Sequence, residues 1–380
     1  MKLITRFGVD EFIDQLSYKD VKIALTCNLA SVTSDGTHSR LALLKAGYQL
    51  LKLFTPEHGF STTGEDGAFM NHQIDEETRL PIISLYSEKL APSESDLSDI
   101  DLVIVDLPDI GSRFYTYLWT MTYILESCEK YNKKVIILDR PNPMAYSIDL
   151  AEGPILNNSC ISFIGRLPIP VTHQSTFGEL AQYFKDTYYP KLELEIIKMR
   201  NWSRELNNGY NFFPTSPAIK NRETIYTYAG ACLMEGLNIN EGRGTDYPFA
   251  QFGAPWINAD LLHKELTKSL SGAILEIVHY TPSISLYKNE LCHGIRVIPI
   301  NPKTFQSFHF FCKIIKIIND TFPHQLKERE YLTNVNPSGA KHLDKLIGLP
   351  NSFNLLKNGE INSTLTDKDW KDKIKPYLLY

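Results

Sequence analysis

The sequence predicts an α/β protein: a Rossmann-like, mostly parallel sheet with helices on both faces, plus a smaller α+β C-terminal domain. Three observations carry that prediction. Short apolar runs the length of buried strands alternate through the first half with amphipathic stretches of helical period. Such alternation implies parallel strands joined by right-handed crossovers, with helices packed on both faces. The alternation thins after a turn-rich stretch at 207–218, and 380 residues exceed the size at which one hydrophobic core stops growing. Two domains are therefore expected, 1–218 and 219–380.

Each element follows from its own residues. Residues 21–26 and 48–54 are apolar enough to be buried strands, and 39–46 carries a helical stripe between them. Strands at 81–86, 101–107 and 133–139 continue the series, with a helix over 117–131. A strand at 167–173, a helix over 176–188 and a strand at 192–198 complete the first domain. The second domain holds a helix over 258–271, strands at 274–280 and 294–299, and a long helix over 302–320.

Composition narrows the function. A formal net charge of -5, with acids and bases interleaved along the chain, argues against a nucleic-acid partner. The apolar runs are strand-sized, so no membrane span is expected. The N-terminus lacks an apolar signal-peptide core, and six scattered cysteines without Cys-x-x-Cys suit a reducing compartment. The expectation is a cytoplasmic protein; a chain trimmed of its export signal would read the same and would be periplasmic. No Gly-x-Gly-x-x-Gly follows the first strand and no P-loop is present, so no nucleotide cofactor is expected. Without a paired-histidine motif, no metal is expected either.

Four loops at strand ends gather residues that can do chemistry. In open parallel sheets ligands bind outside the carboxyl ends of the strands. Glu57 and His58 stand there in Phe54-Thr-Pro-Glu-His-Gly-Phe60, where Pro56 and Gly59 shape a sharp turn. The turn formers of 61–67 follow. The next strand end carries Asp106, Asp109, Arg113 and Tyr115, together with Tyr117 and Trp119, whose spacing equally suits a buried first helical turn. Arg140 lies in the rigid Asp139-Arg-Pro-Asn-Pro143, either pointing into the cleft or paired with Asp139; His173 ends a further expected strand, as a ligand contact or a bystander beside a Ser/Thr helix cap. The glycine-rich stretch from Glu235 to Asp246 presents Glu241 and Arg243, either to a ligand or as a clamp between domains.

Taken together, eight motifs resemble the DUF1343 family, in consistent order from about Gly8 to Tyr380. They are Thr55-Pro-Glu-His-Gly59, Asp109-Ile-Gly-Ser-Arg-Phe-Tyr-Thr-Tyr117, Asp139-Arg-Pro-Asn-Pro143, Glu152-Gly-Pro154, Phe177-Gly-Glu-Leu-Ala181, Glu241-Gly-Arg-Gly-Thr245, Gly253-Ala-Pro-Trp256 and Tyr377-Leu-Leu-Tyr380. Characterised members are NamZ-like exo-β-N-acetylmuramidases. The resemblance implies a catalytic cleft in the Rossmann-like domain, release of N-acetylmuramic acid from non-reducing ends of peptidoglycan fragments, and Glu57 as the catalytic residue. Pro108-Asp-Ile-Gly111, His173-Gln-Ser-Thr176 and Ser216-Pro-Ala-Ile219 depart from the family's usual Gln-Asp-x-Gly, His-Gly-Met-Thr and Ser-Pro-Asn-Met.

Glycosidic cleavage needs a carboxylic acid to protonate the leaving oxygen and usually a second carboxylate as base or nucleophile. Glu57 is the expected acid, and Glu241, Asp106 and Asp109 are candidates for its partner. Retaining, inverting and substrate-assisted routes all remain open. A muramic sugar carries a lactyl carboxylate, for which Arg113, Arg140 or Arg243 would be the fitting cation. Two rival classes use the same residues: a metal-dependent amidase or phosphoesterase on His58, Asp106, Asp109 and His173, and a silent cell-wall-sugar binding module.

Overall fold

The computed structural model describes residues 4–64, 68–69, 73–205, 209–361 and 368–380; residues 65–67 and 207–208 of the two turn-rich stretches lie outside that set. The chain opens with helix α1 (Gly8–Gln15), strand β1 (Lys22–Thr26), helix α2 (Ser39–Lys45) and strand β2 (Gln49–Thr55). Strands β3 (Gln73–Ile74) and β4 (Pro81–Ser84), the short helix α3 (Glu94–Leu97) and strand β5 (Leu102–Val105) follow. Helix α4 (Tyr117–Lys130), strand β6 (Lys134–Leu138), helix α5 (Phe177–Tyr188) and strand β7 (Leu194–Ile197) complete the first layered unit.

These strands form one sheet in the order β3-β4-β2-β1-β5-β6-β7, parallel throughout except where β3 runs against β4. The winding reverses between β1 and β5, so the loops on either side diverge at the carboxyl ends and leave a crevice. Side-chain alternation serves two cores. Ile23, Leu25, Ile104, Ile136 and Leu138 face α1 and α2, whereas Ala24, Val103, Val105, Val135 and Ile137 face α4 and α5.

The second half begins with helix α6 (Arg222–Ala231), which runs into a 3-10 turn, Cys232–Gly236. Strand β8 (Gln251–Ala254), helix α7 (Ala259–Ser269), and strands β9 (Ala273–Tyr280) and β10 (Cys292–Pro299) build a small antiparallel sheet ordered β8-β10-β9. Helix α7 packs on this sheet and helix α8 (Ser307–Thr321) packs against α6 and α7, and the short helices α9 (His342–Ile347), α10 (Ser352–Asn358) and α11 (Lys368–Ile374) lead to the C-terminus. The hydrophobic cluster on the α4 side of the large sheet continues without interruption into Phe308, Phe311, Ile314 and Leu343 of this half. Among the described residues no helix is long and apolar enough to cross a membrane. All six cysteines are buried as free thiols.

One expected strand is absent. Residues 167–173 make only isolated bridges, Thr172 pairing with Ser112 and Glu152. Pro168 and Pro170 remove alternate backbone donors, and a strand without them cannot join a ladder. The long helix likewise starts at Ser307 rather than at 302, after a turn closed by Thr304 N–H to the Asn301 carbonyl at 3.2 Å.

Candidate active site

The loop after β2 is shaped by backbone conformation. His58 and Gly59 take φ values of 66° and 70°, an uncommon pair of left-handed residues that folds the chain back on itself. The turn is closed twice: Gly64 N–H donates to the His58 carbonyl at 3.0 Å, and His58 Nδ1 lies 2.9 Å from the Gly64 carbonyl. Since a carbonyl only accepts, Nδ1 carries the proton. Glu57, 7% exposed, is thereby held at the carboxyl edge of the sheet. Thr116, the residue that begins α4, donates its hydroxyl to Glu57 Oε2 at 2.7 Å instead of capping its own helix.

Glu57 and His58 lie on the wall of a cavity of about 290 Å³ that also receives Tyr115, Thr116, Tyr228, Glu235, Arg243, His342 and Lys345. Its walls are aromatic: Tyr86 packs on Phe163 at 4.7 Å between ring centroids, and Tyr228 meets Phe249 edge-on at 4.7 Å. A cavity of about this size, in which an aromatic wall meets convergent polar and charged groups, suits a small polar ligand.

The polar group contributed by the second half is a charge cluster. Arg243 Nη1 donates to Glu235 Oε1 and, at 3.0 Å, to Glu241 Oε1; its guanidinium lies 4.6 Å from the Phe249 ring centroid. Gly242 and Gly244 flank it with φ of 85° and 80°. A Cβ on Gly242 would meet the Tyr247 carbonyl at 2.5 Å, and one on Gly244 would meet Ile284 N at 2.6 Å. Only glycine lets the loop close this tightly around the arginine. Glu235 Oε2 lies 3.1 Å from His342 Nε2, and that imidazole stacks on Tyr331. Burial works against the Glu235 charge, but Arg243 and His342 outweigh it and hold the carboxyl down at about 2. Both partners thus favour the ionised form of Glu235.

The remaining residues expected at the site are placed elsewhere. Arg113 is fully buried and gives its Nη atoms to the carbonyls of Pro154 (2.7 Å), Ile169 (2.8 Å), Leu346 (3.0 Å) and Ile347 (2.7 Å). It ties the loops behind β5 to α9 and does not face a ligand. Arg140 forks onto Asp106, Nε to Oδ1 at 2.5 Å and Nη2 to Oδ2 at 2.8 Å, and both side chains are buried. Its expected partner Asp139 instead accepts from Thr176 Oγ1, Gly178 N and Tyr380 Oη. Tyr117 and Trp119 are core residues with no exposure.

Asp109 and His173 face each other in the interior, Oδ2 to Nε2 at 3.5 Å. Burial pushes Asp109 up to about 7 and His173 down to about 3, so between those two values both favour the uncharged form. Ser175 N–H donates to His173 Nδ1 at 3.3 Å, which leaves the ring proton on Nε2, facing the carboxyl group. Glu241 has no exposed surface and stands behind Arg243, with Ser285 Oγ at 3.3 Å. Asp106, Asp109, Arg113, Arg140, His173 and Glu241 are thus absent from the cavity lining, where Glu57, His58, Tyr115 and Arg243 are present.

Sequence reasoning missed Thr116, Glu235, His342 and Lys345. Glu235 opens the same glycine-rich stretch as Glu241, and the two cannot be told apart without knowing that residues 232–236 form a 3-10 turn aimed at the cavity. His342 and Lys345 come from α9, whose sequence carries no signal of its own. Among the described residues, no group of three or more His, Cys, Asp or Glu is disposed to hold a metal ion.

Comparison with known proteins agrees with this geometry at the level of the whole chain. Residues 23–223 match the family model for exo-beta-N-acetylmuramidase NamZ, N-terminal, and residues 226–380 match its C-terminal counterpart. The chain is 33% identical over 386 aligned positions to peptidoglycan beta-N-acetylmuramidase NamZ of Bacillus subtilis strain 168, covering 98% of this chain and 91% of that protein. Two crystal structures of DUF1343 family proteins from Bacteroides fragilis are similar in fold. One superposes with a TM-score of 0.86 at 25% identity over 100% of both chains, the other with 0.75 at 27% identity over 99% of both. The chain therefore belongs to the exo-beta-N-acetylmuramidase NamZ family and is a glycoside hydrolase.

Proposed function

We propose that this enzyme is an exo-β-N-acetylmuramidase that releases N-acetylmuramic acid from the non-reducing end of peptidoglycan-derived glycans, with Glu57 as general acid. The observation that carries the reading is the approach of Glu57, held by Thr116, and the Glu235–Arg243 pair to one aromatic cavity at the carboxyl edge of the sheet. Glu57 protonates the departing glycosidic oxygen, and a positioned acid of this kind contributes roughly 10²- to 10⁴-fold to rate.

Glu235 is the second carboxylate of this reading, in place of Glu241, Asp106 and Asp109. Its ionised state suits it to stabilise positive charge at the anomeric carbon or to orient the attacking group. Arg243 keeps both neighbouring glutamates in place. The test is hydrolysis of a chromogenic β-N-acetylmuramide beside the matching glucosaminide. Wild-type enzyme should cleave the muramide, and Glu57→Gln should lose about two to four orders of magnitude in kcat. A Glu57→Gln enzyme with wild-type turnover would remove Glu57 from the chemistry.

A further inference from the structure

Charge accounting inside the cavity separates its two cations. Arg243 is bracketed by Glu235 and Glu241, so its charge is more than balanced before any ligand arrives. Lys345 is bound differently. Its ammonium donates to Asn336 Oδ1 at 2.7 Å and to the Ala340 carbonyl at 3.1 Å, both neutral acceptors. An ammonium has three hydrogens, so one donor remains beyond these two contacts. Among the described residues no carboxylate forms an ion pair with it. Partial burial lowers the pKa of this half-buried ammonium.

The position of Lys345 is fixed from behind. It lies in the last turn of α9, and the carbonyls of the next two residues, Leu346 and Ile347, are the ones that Arg113 grips. Leu346 and Lys345 both line the cavity, so the buried arginine holds the helix that presents the lysine. The loop bearing Asn336 braces the same ammonium from the other side.

The geometry points to Lys345 as the specificity-determining residue that pairs with the carboxylate of an acidic sugar substituent, such as the lactyl ether arm by which a muramic sugar differs from a glucosaminic one. This rests on the muramidase reading above and goes further by assigning recognition of the arm to a lysine of α9 rather than to an arginine. The bond would be charge-assisted, and its loss leaves a half-buried cation unpaired, so roughly 10- to 100-fold in affinity is at stake.

The test uses the full chain and three inhibitors of muramide hydrolysis: N-acetylmuramic acid, its lactyl methyl ester and N-acetylglucosamine. In wild type the acid should inhibit about 10- to 100-fold more tightly than its ester. Lys345→Met and Lys345→Gln should bring acid and ester within about threefold of each other, while Lys345→Arg keeps most of the difference. A lysine that merely holds the Asn336 loop would weaken acid and ester alike and leave their ratio intact. That result overturns the assignment, as does a wild-type enzyme indifferent to esterification. Absence of muramide hydrolysis by wild type would instead refute the reading on which the assignment rests.

Discussion

Replacement of Arg113 by methionine separates a structural arginine from a ligand-binding one. In the folded chain its guanidinium serves the carbonyls of Pro154, Ile169, Leu346 and Ile347 and has no exposed surface. Methionine fills much of the space and donates nothing, so four buried acceptors lose their partner, each at a cost of roughly 1 to 3 kcal/mol. The lower end of that range is appropriate, because methionine also avoids the desolvation that pulls the arginine pKa down to about 9. The expected destabilisation is about 4 kcal/mol. A chain of 380 residues melts with an entropy of roughly 0.8 kcal/mol/K, so Tm should fall by about 5 °C. Calorimetry or circular dichroism reads the shift, and inhibition by N-acetylmuramic acid and its ester reads any loss of specificity. Arg113→Lys should be intermediate in Tm, since three donors cannot span four carbonyls. An Arg113→Met protein with wild-type Tm and lost discrimination between acid and ester would refute the reasoning.

Three further outcomes are expected. Asp109 has its folded pKa raised to about 7 by burial, so the stability it confers is complete at acid pH and is lost as pH rises through 7. Between pH 5.5 and 8.5 that loss is about 2 kcal/mol, and Asp109→Asn should flatten this part of the Tm profile; an unchanged slope would contradict it. Glu235→Gln should reduce muramide turnover by roughly 10²-fold or more, with a smaller loss for Glu241→Gln, and steady-state kinetics in which Glu241 proves the more sensitive would reverse their roles. Gly244→Ala forces a Cβ to within 2.6 Å of Ile284 N at φ of 80°, so it should lower Tm and release Arg243 from its two glutamates. A melting temperature equal to wild type would show that the loop tolerates the side chain.

The repeating strands and helices were legible because their apolar patterns are local. The strand expected at 167–173 fails because Pro168 and Pro170 deny that segment its ladder. Helix α6, strand β8 and the C-terminal helices escaped because their burial depends on surfaces supplied by distant segments, as where Gly230 packs against Phe311. At the site, the glutamate of the Pro-Glu-His-Gly turn and the arginine between two glycines announced themselves through backbone requirements: a sharp turn in one case, closed-in glycines in the other.

Residue type and spacing alone thus determined the layered α/β class, the strand-end loops and the chemistry that these loops can offer. They could not determine which charges meet a ligand. Arg113, Arg140 and Arg243 look equivalent in sequence, yet one serves backbone carbonyls, one is neutralised by Asp106, and one reaches the cavity with two glutamates already attached. Only the tertiary structure decides this, because the availability of a charge depends on the nearest opposite charge or carbonyl. Those partners lie up to 234 residues away along the chain.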